Sequence, residues 1–178
     1  MFTMEGELYH EVNRCLRDQN AEKFSYYIIS LFAALSFFES NSKPQMEKDG
    51  ILKQFPKDLK YFEVYRGSSL SEEDLEAYKS FNSEQISKVF LVKDFISTTF
   101  TRENIQYEEK KIQVLHVYSL PVNAVNPAFI YLGGDLNIYP NSKEILIKSG
   151  CLMEISKVEM FDRNKISIFY KAYEAYQA

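Results

Sequence analysis

The sequence has few of the residues that build metal sites and disulfide frameworks. It contains two cysteines, Cys15 and Cys151, and two histidines, His10 and His116. Two cysteines can form at most one disulfide, and nothing in the sequence indicates that these two meet. We therefore expect two reduced and partly buried thiols. The cysteines and histidines show none of the spacings typical of zinc sites, so the sequence implies no metal.

The sequence also lacks the long apolar segments that carry a chain into or across a membrane. No apolar run approaches the ~20 residues of a membrane-spanning helix. Residues 1–7 have neither the basic start nor the apolar run of a secretion signal. We therefore expect no membrane span and a soluble, cytoplasmic protein. A secreted protein, or one domain of a longer protein, is also compatible with this sequence.

Positive charge is not in excess either. The chain carries 21 Lys and Arg against 25 Asp and Glu, a net charge of -4, and its longest basic run is Lys110-Lys111. Domains that bind nucleic acid usually have a basic balance and clustered cations. We therefore expect no nucleic-acid groove, whereas a local basic pocket is compatible with the scattered cations.

Tryptophan is absent, but the other large aromatic residues are abundant. The chain has 14 Phe and 13 Tyr, and 46% of its residues are apolar, which is far from the composition of disordered chains. Because rings bury a large area per residue, we expect a core filled with rings. The length suits one domain, and no repeat, low-complexity tract or linker divides it. Residues 1–178 are thus predicted to form a single domain.

The order of periodic segments predicts an α+β fold. Apolar residues at helical spacing indicate one helix over residues 5–18 and a second over 24–38, which stops before Pro44. These helices form a helical part, 1–55, and residues 60–178 are predicted to be rich in strands. The predicted extended segments are 61–66, 89–99, 112–118, 128–132, 144–148, 152–160 and 165–173, with a short helix at 71–79 and a turn or helix at 101–109. Helices followed by strands are typical of the α+β class.

The first candidate site residue is Arg66, which ends a predicted strand and precedes Gly67. A guanidinium offers a diphosphate two parallel and permanently charged hydrogen bonds. A glycine beside it lets a ligand approach the backbone closely. Taken alone, Tyr65-Arg66-Gly67 is explained more simply by an exposed arginine in a surface salt bridge.

Two further candidates lie in extended segments. Ser97 begins the triplet Ser97-Thr98-Thr99, and Glu144 opens the apolar run Glu144-Ile145-Leu146-Ile147. A carboxylate that leads into such a strand is expected to be partly buried and to need a partner. A serine hydroxyl can be that partner, since it fixes the carboxylate's rotamer and keeps it ionised. The carboxylate can then stabilise the oxocarbenium-like charge that forms when a bond to ribose breaks. Alone, each motif also fits ordinary strand chemistry.

In their order and local context, Arg66, Ser97-Thr98-Thr99 and Glu144 resemble the Arg, Ser-Thr-Ser, Glu signature of mono-ADP-ribosyltransferases, both eukaryotic arginine-type enzymes and bacterial toxins. The likeness covers nearly the whole chain, since residues 8–17 and 24–35 resemble the leading helices of eukaryotic members. It implies helices followed by two packed, mixed or antiparallel β-sheets with an NAD cleft between them. It also implies an enzyme that consumes NAD as a substrate and uses no metal.

The resemblance assigns a role to each motif residue. Arg66 would bind an NAD phosphate, and Gly67 would bind the nicotinamide amide through its backbone. Ser97 would orient the catalytic Glu144, and Thr98 would support the strand.

The resemblance also points to aromatic and loop residues. The family stacks a ring on nicotinamide downstream of the Ser-Thr motif, and Tyr107 is the first candidate, with Phe100 second. Tyr139 lies in the loop before the catalytic glutamate, where relatives often have a ring that touches the target. Together with Asn141 and Ser142, it is a candidate for substrate recognition.

At Ser142 the sequence departs from its relatives. Arginine-modifying members carry a second glutamate at this position, and Rho-modifying exoenzymes carry a glutamine. A neutral hydroxyl cannot pair with a guanidinium as a carboxylate does, so arginine as acceptor is in doubt, while NAD cleavage is not affected. We therefore predict mono-ADP-ribosyl transfer to an unidentified protein side chain or other nucleophile. The alternatives are an NAD glycohydrolase, a non-catalytic module that binds NAD, ADP-ribose or a protein, and an unrelated domain with coincidental motifs.

Overall fold

Helices precede strands in the computed structural model of this chain, as the sequence predicts. The structure describes residues 7–18, 22, 25–73, 75–76, 88–105, 107, 112–122, 127–133, 143–162 and 164–173. Helix α1 spans Glu7–Arg17 and helix α2 spans Ser25–Lys48. The strands are β1 (Tyr61–Leu70), β2 (Lys88–Leu91), β3 (Ile96–Thr99), β4 (Ile112–Pro121), β5 (Phe129–Leu132), β6 (Glu144–Ile147), β7 (Leu152–Asp162) and β8 (Lys165–Ala172). The α+β class is confirmed.

The described strands form one hydrogen-bonded sheet that divides into two halves. Its order is β2-β7-β8-β4-β1-β3-β6-β5, and β4 and β8 form its parallel pair, whereas the other neighbours are antiparallel. β1 pairs with β4 along its whole length. By contrast, β1 and β3 share the single pair Tyr65–Thr99. The predicted two sheets are therefore present as a five-stranded half and a three-stranded half that meet at one residue pair.

The two halves pack face to face on a core that is rich in rings. One buried apolar cluster contains Phe62 and Val64 of β1 together with Ile145 and Ile147 of β6. Phe62 meets Phe129 of β5 edge to face, with ring centroids 5.0 Å apart. The rings thus fill the space between the halves, as the abundance of Phe and Tyr predicts.

The two helices cover the opposite face of the three-stranded half. A second buried cluster joins Val12 of α1 and Leu35 of α2 to Ile130 of β5 and Leu146 of β6. Because residues alternate between faces along a strand, β5 and β6 bury both of their faces. This explains why their sequences are continuous apolar runs with no alternation.

Helix α2 extends beyond the predicted end and contains Pro44. A proline inside a helix removes one backbone hydrogen bond and costs about 3 kcal/mol. Met46, beyond the proline, is buried in the core, and long-range contacts hold the helix before the proline. Lys148 forms an ion pair with Glu39 at 2.7 Å, and the Ser42 hydroxyl accepts a hydrogen bond from the Tyr131 amide at 2.9 Å. The prediction that the helix stops before Pro44 is wrong because tertiary contacts outweigh the local preference.

Other predicted bounds change in smaller ways. β1 continues to Leu70 and does not end at Gly67, since β4 supplies a partner for every residue of it. The extended segment 89–99 consists of β2 and β3 with a break at 92–95, and a 3₁₀ turn at Arg102–Asn104 lies in the segment 101–109. Of the predicted helix 71–79, residues 72, 73, 75 and 76 are helical, and 74 and 77–79 lie outside the described residues.

Cys15 and Cys151 are buried and free. No helix among the described residues is long and apolar enough to cross a membrane. The single domain over residues 1–178 remains a prediction.

Candidate active site

The residues of the three motifs lie on three neighbouring strands. Tyr65 of β1 pairs with Thr99 of β3, and Thr99 pairs in turn with Glu144 of β6. Arg66 follows the first member of this row, and Ser97 lies two residues before the second. Since neighbouring strands are ~4.8 Å apart, the strand that carries Arg66 is about 10 Å from the strand that carries Glu144. The join between the two sheet halves therefore brings the three motifs together.

Ser97 and Glu144 form a short hydrogen bond. The Ser97 hydroxyl donates to Glu144 Oε1 at 2.6 Å, and Glu144 is only 7% exposed. The two residues are diagonal neighbours across the β3–β6 pair, on the same face of the sheet. Burial raises the pKa of the Glu144 carboxyl, and the hydrogen bond from Ser97 partly offsets this by lowering it. The carboxylate predicted from the apolar strand thus has the predicted partner.

The backbone around this pair is held firmly in place. The Thr98 hydroxyl donates to the Ile145 carbonyl at 2.7 Å and ties β3 to β6 beside the pair. Lys143 directly precedes Glu144 and has a φ of 44°, the one positive φ among the described non-glycine residues. A left-handed residue of this kind costs about 1–2 kcal/mol, and such conformations cluster at functional sites. β6 therefore begins at a strained turn whose next residue is the buried glutamate.

Arg66 lies in the middle of a strand, which corrects its predicted position at a strand end. It is partly buried and pairs with His116 of β4, and Gly67 pairs with Leu115 in the same ladder. Gly67 is therefore an extended strand residue and has no positive φ. None of the described acidic residues forms an ion pair with Arg66. A partly buried cation without such a partner is suited to an anionic ligand.

A cavity of about 250 Å³ opens beside Arg66. Its walls come from α1, β1, β4 and the segment that enters β3, and they include Asn13, Arg17 and Ile96. Ile96 immediately precedes Ser97 in β3, whereas neither Ser97 nor Glu144 lines the cavity. The structure thus places Arg66 in the cavity wall and the Ser97–Glu144 pair outside that wall.

Helix α1 is fastened to the chain directly before β3. The buried Asn13 amide donates to the Phe95 carbonyl, and its oxygen accepts from the Phe95 amide, both at 3.2 Å. One helical turn later, Arg17 forms a 2.7 Å ion pair with Asp94. These contacts fix the wall that α1 contributes to the cavity, two residues before Ser97.

His116 is a further candidate site residue, which the sequence alone does not indicate. It lies in the cavity wall, and its two ring nitrogens are 2.7 Å from the Ser68 hydroxyl and 3.0 Å from the Tyr170 hydroxyl. Burial, and secondly the charge of Arg66, lower its pKa to about 4. The sequence shows His116 only as one member of a strand alternation, and its position opposite Arg66 requires the register of β1 and β4.

Comparison with known proteins identifies the architecture. No protein-family model matches the sequence, and no curated protein matches it. Among solved structures, the ADP-ribosyltransferase Vis in complex with agmatine matches with a TM-score of 0.52 and 17% identity, over 98% of this chain and 71% of that one. Vis is a toxin from Vibrio splendidus, and its complex with the M6 inhibitor gives a TM-score of 0.51 and 19% identity over 98% and 70%. This chain has the fold of the ADP-ribosyltransferases.

A second similar structure covers less of either chain. The ADP-ribosyltransferase HopU1 of Pseudomonas syringae pv. Tomato DC3000 matches with 16% identity and a TM-score of 0.49 over 64% of this chain. The chain spans 46% of the length of HopU1. At such low identities the likeness concerns the fold, and any activity must be argued from the site.

Within the ADP-ribosyltransferase fold, the two ring candidates have different surroundings. Phe100 packs in the core, with its ring centroid 5.6 Å from that of Phe62 and 6.4 Å from that of Phe55. Tyr107 is partly buried, and burial raises its pKa while the nearby charge of Arg102 lowers it. Phe100 is thus engaged by core rings, whereas the described surroundings of Tyr107 include a cation.

Tyr139, Asn141 and Ser142 lie outside the described residues. Among the residues that the structure describes, no group of three or more His, Cys, Asp or Glu side chains could hold a metal ion.

Proposed function

We propose that this protein is a mono-ADP-ribosyltransferase that cleaves the nicotinamide–ribose bond of NAD and transfers ADP-ribose to a nucleophile. One observation carries the proposal: a buried glutamate accepts a 2.6 Å hydrogen bond from Ser97, and the strand of this glutamate lies two strands from the strand that carries Arg66. The fold supports the same proposal, since solved structures that resemble this chain are ADP-ribosyltransferases.

Arg66 supports the binding of the NAD diphosphate. The diphosphate carries two negative charges, and the planar guanidinium can bind two of its oxygens at once. The cavity beside Arg66 measures about 250 Å³, below the 300–1,000 Å³ typical of pockets that enclose a whole ligand. It therefore suits one part of a dinucleotide, with the rest extending toward Ser97 and Glu144.

Glu144 supports the cleavage step. As the bond between ribose C1′ and the nicotinamide nitrogen breaks, its electron pair leaves with nicotinamide and positive charge develops on the sugar. A fixed carboxylate beside the sugar gains interaction energy as that charge grows. The acceptor then attacks C1′ and loses its proton. Ser97 holds the carboxylate in one rotamer, and the cationic nicotinamide ring of bound NAD favours its ionised form.

The nicotinamide itself would be held by Gly67 and a ring. We assign the contact with the amide to the Gly67 backbone, by resemblance, and the stacking ring to Tyr107. Phe100 is the weaker candidate because its ring already packs in the core. Thr98 supports the catalytic strand pair through its bond to the Ile145 carbonyl.

The acceptor is a protein side chain or another nucleophile. Vis has been solved with agmatine, but in this sequence Ser142 stands where arginine-modifying relatives carry a glutamate. A serine cannot form the ion pair with a guanidinium, so we do not assign arginine as the acceptor. If water is the acceptor, the enzyme is an NAD glycohydrolase, and if cleavage is absent, the fold serves to bind NAD, ADP-ribose or a protein.

The first experiment measures nicotinamide release from NAD by the purified protein and by Glu144→Gln. The substitution keeps the shape and removes the charge, so we expect release to fall by about two to three orders of magnitude while NAD binding changes little. Glu159→Gln, on β7 and away from the site, is the matched control and should retain the activity.

The acceptor question uses the same assay with and without cell extract. Release that rises with extract, together with label transferred from NAD to a macromolecule, indicates a transferase, and extract-independent release indicates a glycohydrolase. Equal release by the wild type and Glu144→Gln would contradict the assignment of Glu144. No release by the wild type, with NAD binding retained, would support the binding module.

A further inference from the structure

We propose that His116 is a positioning residue for Arg66, an uncharged ring that holds the guanidinium toward the ligand without contacting the ligand through its own nitrogens. The inference rests on the proposed function, because it concerns the residue that would bind the NAD diphosphate. It adds three side chains that the motifs do not include, Ser68, His116 and Tyr170. We call this hydrogen-bonded set the relay.

The relay crosses three strands beside Arg66. Arg66 and His116 are directly opposite each other in the β1–β4 ladder, so their side chains leave the same face of the sheet ~5 Å apart. Ser68, two residues along β1, is 2.7 Å from His116 Nε2. Tyr170 of β8 is 3.0 Å from His116 Nδ1. The imidazole is therefore fixed from both sides in one orientation.

Stacked rings support the imidazole from behind. Its ring lies nearly parallel to that of Tyr118, at 14° and 6.2 Å, and to that of Tyr170, at 24° and 5.7 Å. The two tyrosine rings stack on each other at 4.7 Å, and both residues are buried. Rotation of the imidazole would thus require movement in the core.

Both ring nitrogens of His116 have protein partners, and this indicates that His116 positions Arg66 and does not contact a ligand itself. A neutral imidazole has one donor and one acceptor nitrogen, and both lie within hydrogen-bond distance of protein hydroxyls. No ring nitrogen is left to bind a ligand in the cavity. What His116 presents to its surroundings is a rigid uncharged ring next to Arg66, and its effect on a ligand must pass through Arg66.

The charged and titratable groups around the imidazole favour the neutral state. The cation of Arg66 faces it from β1, and the Tyr170 hydroxyl faces it from β8. The rest of the cavity wall contributes Arg17 and His10 from α1 and Asp94 from the segment before β3, and Arg17 and Asp94 pair with each other. A second positive charge beside Arg66 would repel it, whereas a neutral ring lets it approach. The long arginine side chain then loses less rotamer entropy when it binds a diphosphate.

A double-mutant cycle tests the proposal through NAD affinity. The four proteins are the wild type, His116→Phe, Arg66→Ala and the double variant, measured by titration calorimetry with NAD. We expect His116→Phe to weaken NAD binding by about tenfold in the wild-type background and by less than about twofold in the Arg66→Ala background, because the two residues act together. At saturating NAD, the rate of nicotinamide release should change little.

Milder variants provide controls for folding. Tyr170→Phe removes one hydroxyl of the relay, and His116→Gln keeps a polar group near Ser68, so both should weaken NAD binding less than His116→Phe does. Equal weakening by His116→Phe in both backgrounds would overturn the proposal, since it would indicate general damage to the fold. Unchanged NAD binding in all relay variants would also overturn it.

A second readout does not depend on NAD. Nuclear magnetic resonance of the imidazole should show His116 neutral from pH 5.5 to 8 in the wild type, and Arg66→Ala should raise its pKa because the neighbouring cation is removed. Titration of His116 at its ordinary pKa in the wild type would overturn the proposal. If the wild type binds no NAD and releases no nicotinamide, the proposed function fails and this inference fails with it. If the wild type does both and the cycle shows no coupling, only this inference fails.

Discussion

Glu144 is subject to two opposing influences that together determine when it is ionised. Its burial favours the neutral acid, and the hydroxyl of Ser97 favours the carboxylate, with burial as the larger effect. The free protein therefore holds a carboxyl that protonates more readily than an exposed glutamate. Under the proposed function, bound NAD would bring a cationic nicotinamide ring, which would shift the balance back toward the carboxylate. NAD would then promote the ionisation of Glu144.

This balance predicts the pH dependence of NAD cleavage. The acid limb of kcat/KM reports the ionisation of the free enzyme, so we expect its midpoint above the usual glutamate value of about 4.3. Ser97→Ala removes the hydrogen bond that lowers the pKa of Glu144, and the midpoint should therefore move to higher pH. The measurement is kcat/KM for nicotinamide release between pH 4 and 8.

Ser97→Thr serves as the matched variant for the same experiment. It keeps a hydroxyl at the same position, so its acid limb should lie near that of the wild type. An acid limb that stays in place, or moves to lower pH, in Ser97→Ala would contradict the electrostatic role of Ser97.

At the scale of single residues, the sequence predicts what depends on neighbours along the chain. An acidic residue directly before Ile145-Leu146-Ile147 is expected to be partly buried, and Glu144 is buried in the structure. The resemblance also predicts Ser97 as the partner of that carboxylate, because Ser97-Thr98-Thr99 resembles the Ser-Thr-Ser motif. His116 is not predictable in this way, because its importance depends on a pairing with Arg66 that involves residues 50 positions apart.

At the scale of elements, helix α2 shows how distant contacts override a local signal. Pro44 is a strong helix breaker, yet the helix continues for another turn to Lys48. Ser42 lies two residues before the proline and is only 3% exposed. Its hydroxyl donates to the Phe38 carbonyl and accepts from the amide of Tyr131 on β5. The hydroxyl thus joins the helix to the sheet at the point where the helix is weakest.

We predict that Ser42→Ala destabilises the protein while Ser40→Ala does not. Both serines donate to a carbonyl four residues back, but only Ser42 also satisfies a buried amide of the sheet. A buried donor left without a partner costs about 1–3 kcal/mol, whereas an exposed substitution changes stability by about 0.5 kcal/mol or less. Urea unfolding of the two variants measures the difference. Equal losses in both would show that the bond between helix and sheet contributes nothing.

At the scale of the whole molecule, the architecture follows from where the two sheet halves meet. The sequence predicts helices, strands and two packed sheets, since these follow from periodicity and from the resemblance. It does not predict that Tyr65 and Thr99 are the residues that join the halves, because strand pairing depends on register and not on composition. That join puts Arg66 near Ser97 and Glu144, and it places the cavity under α1. The site is a product of the whole fold and of no single motif.

The same architecture predicts a loss of stability in acid that originates at His116. Its pKa is lowered from 6.5 to about 4 in the folded protein, so the unfolded chain binds the proton more readily. The stability that the neutral ring contributes is fully present above pH 6.5 and is lost as the pH falls toward 4. At 1.36 kcal/mol per pKa unit, this loss amounts to at most about 3 kcal/mol.

Urea unfolding at pH 7.5, 5.5 and 4.5 measures the effect when the wild type is compared with His116→Gln. The variant lacks the contribution of the neutral ring, so it should be less stable than the wild type at pH 7.5. Because the amide does not titrate, the variant should also lose less stability on acidification than the wild type does. Glu144 acts in the opposite sense, because its raised pKa lets the folded state bind a proton before the unfolded chain does. The comparison cancels that contribution, since Glu144 is present in both proteins. Parallel stability curves for the two would mean that His116 is as easily protonated in the folded protein as in the unfolded chain.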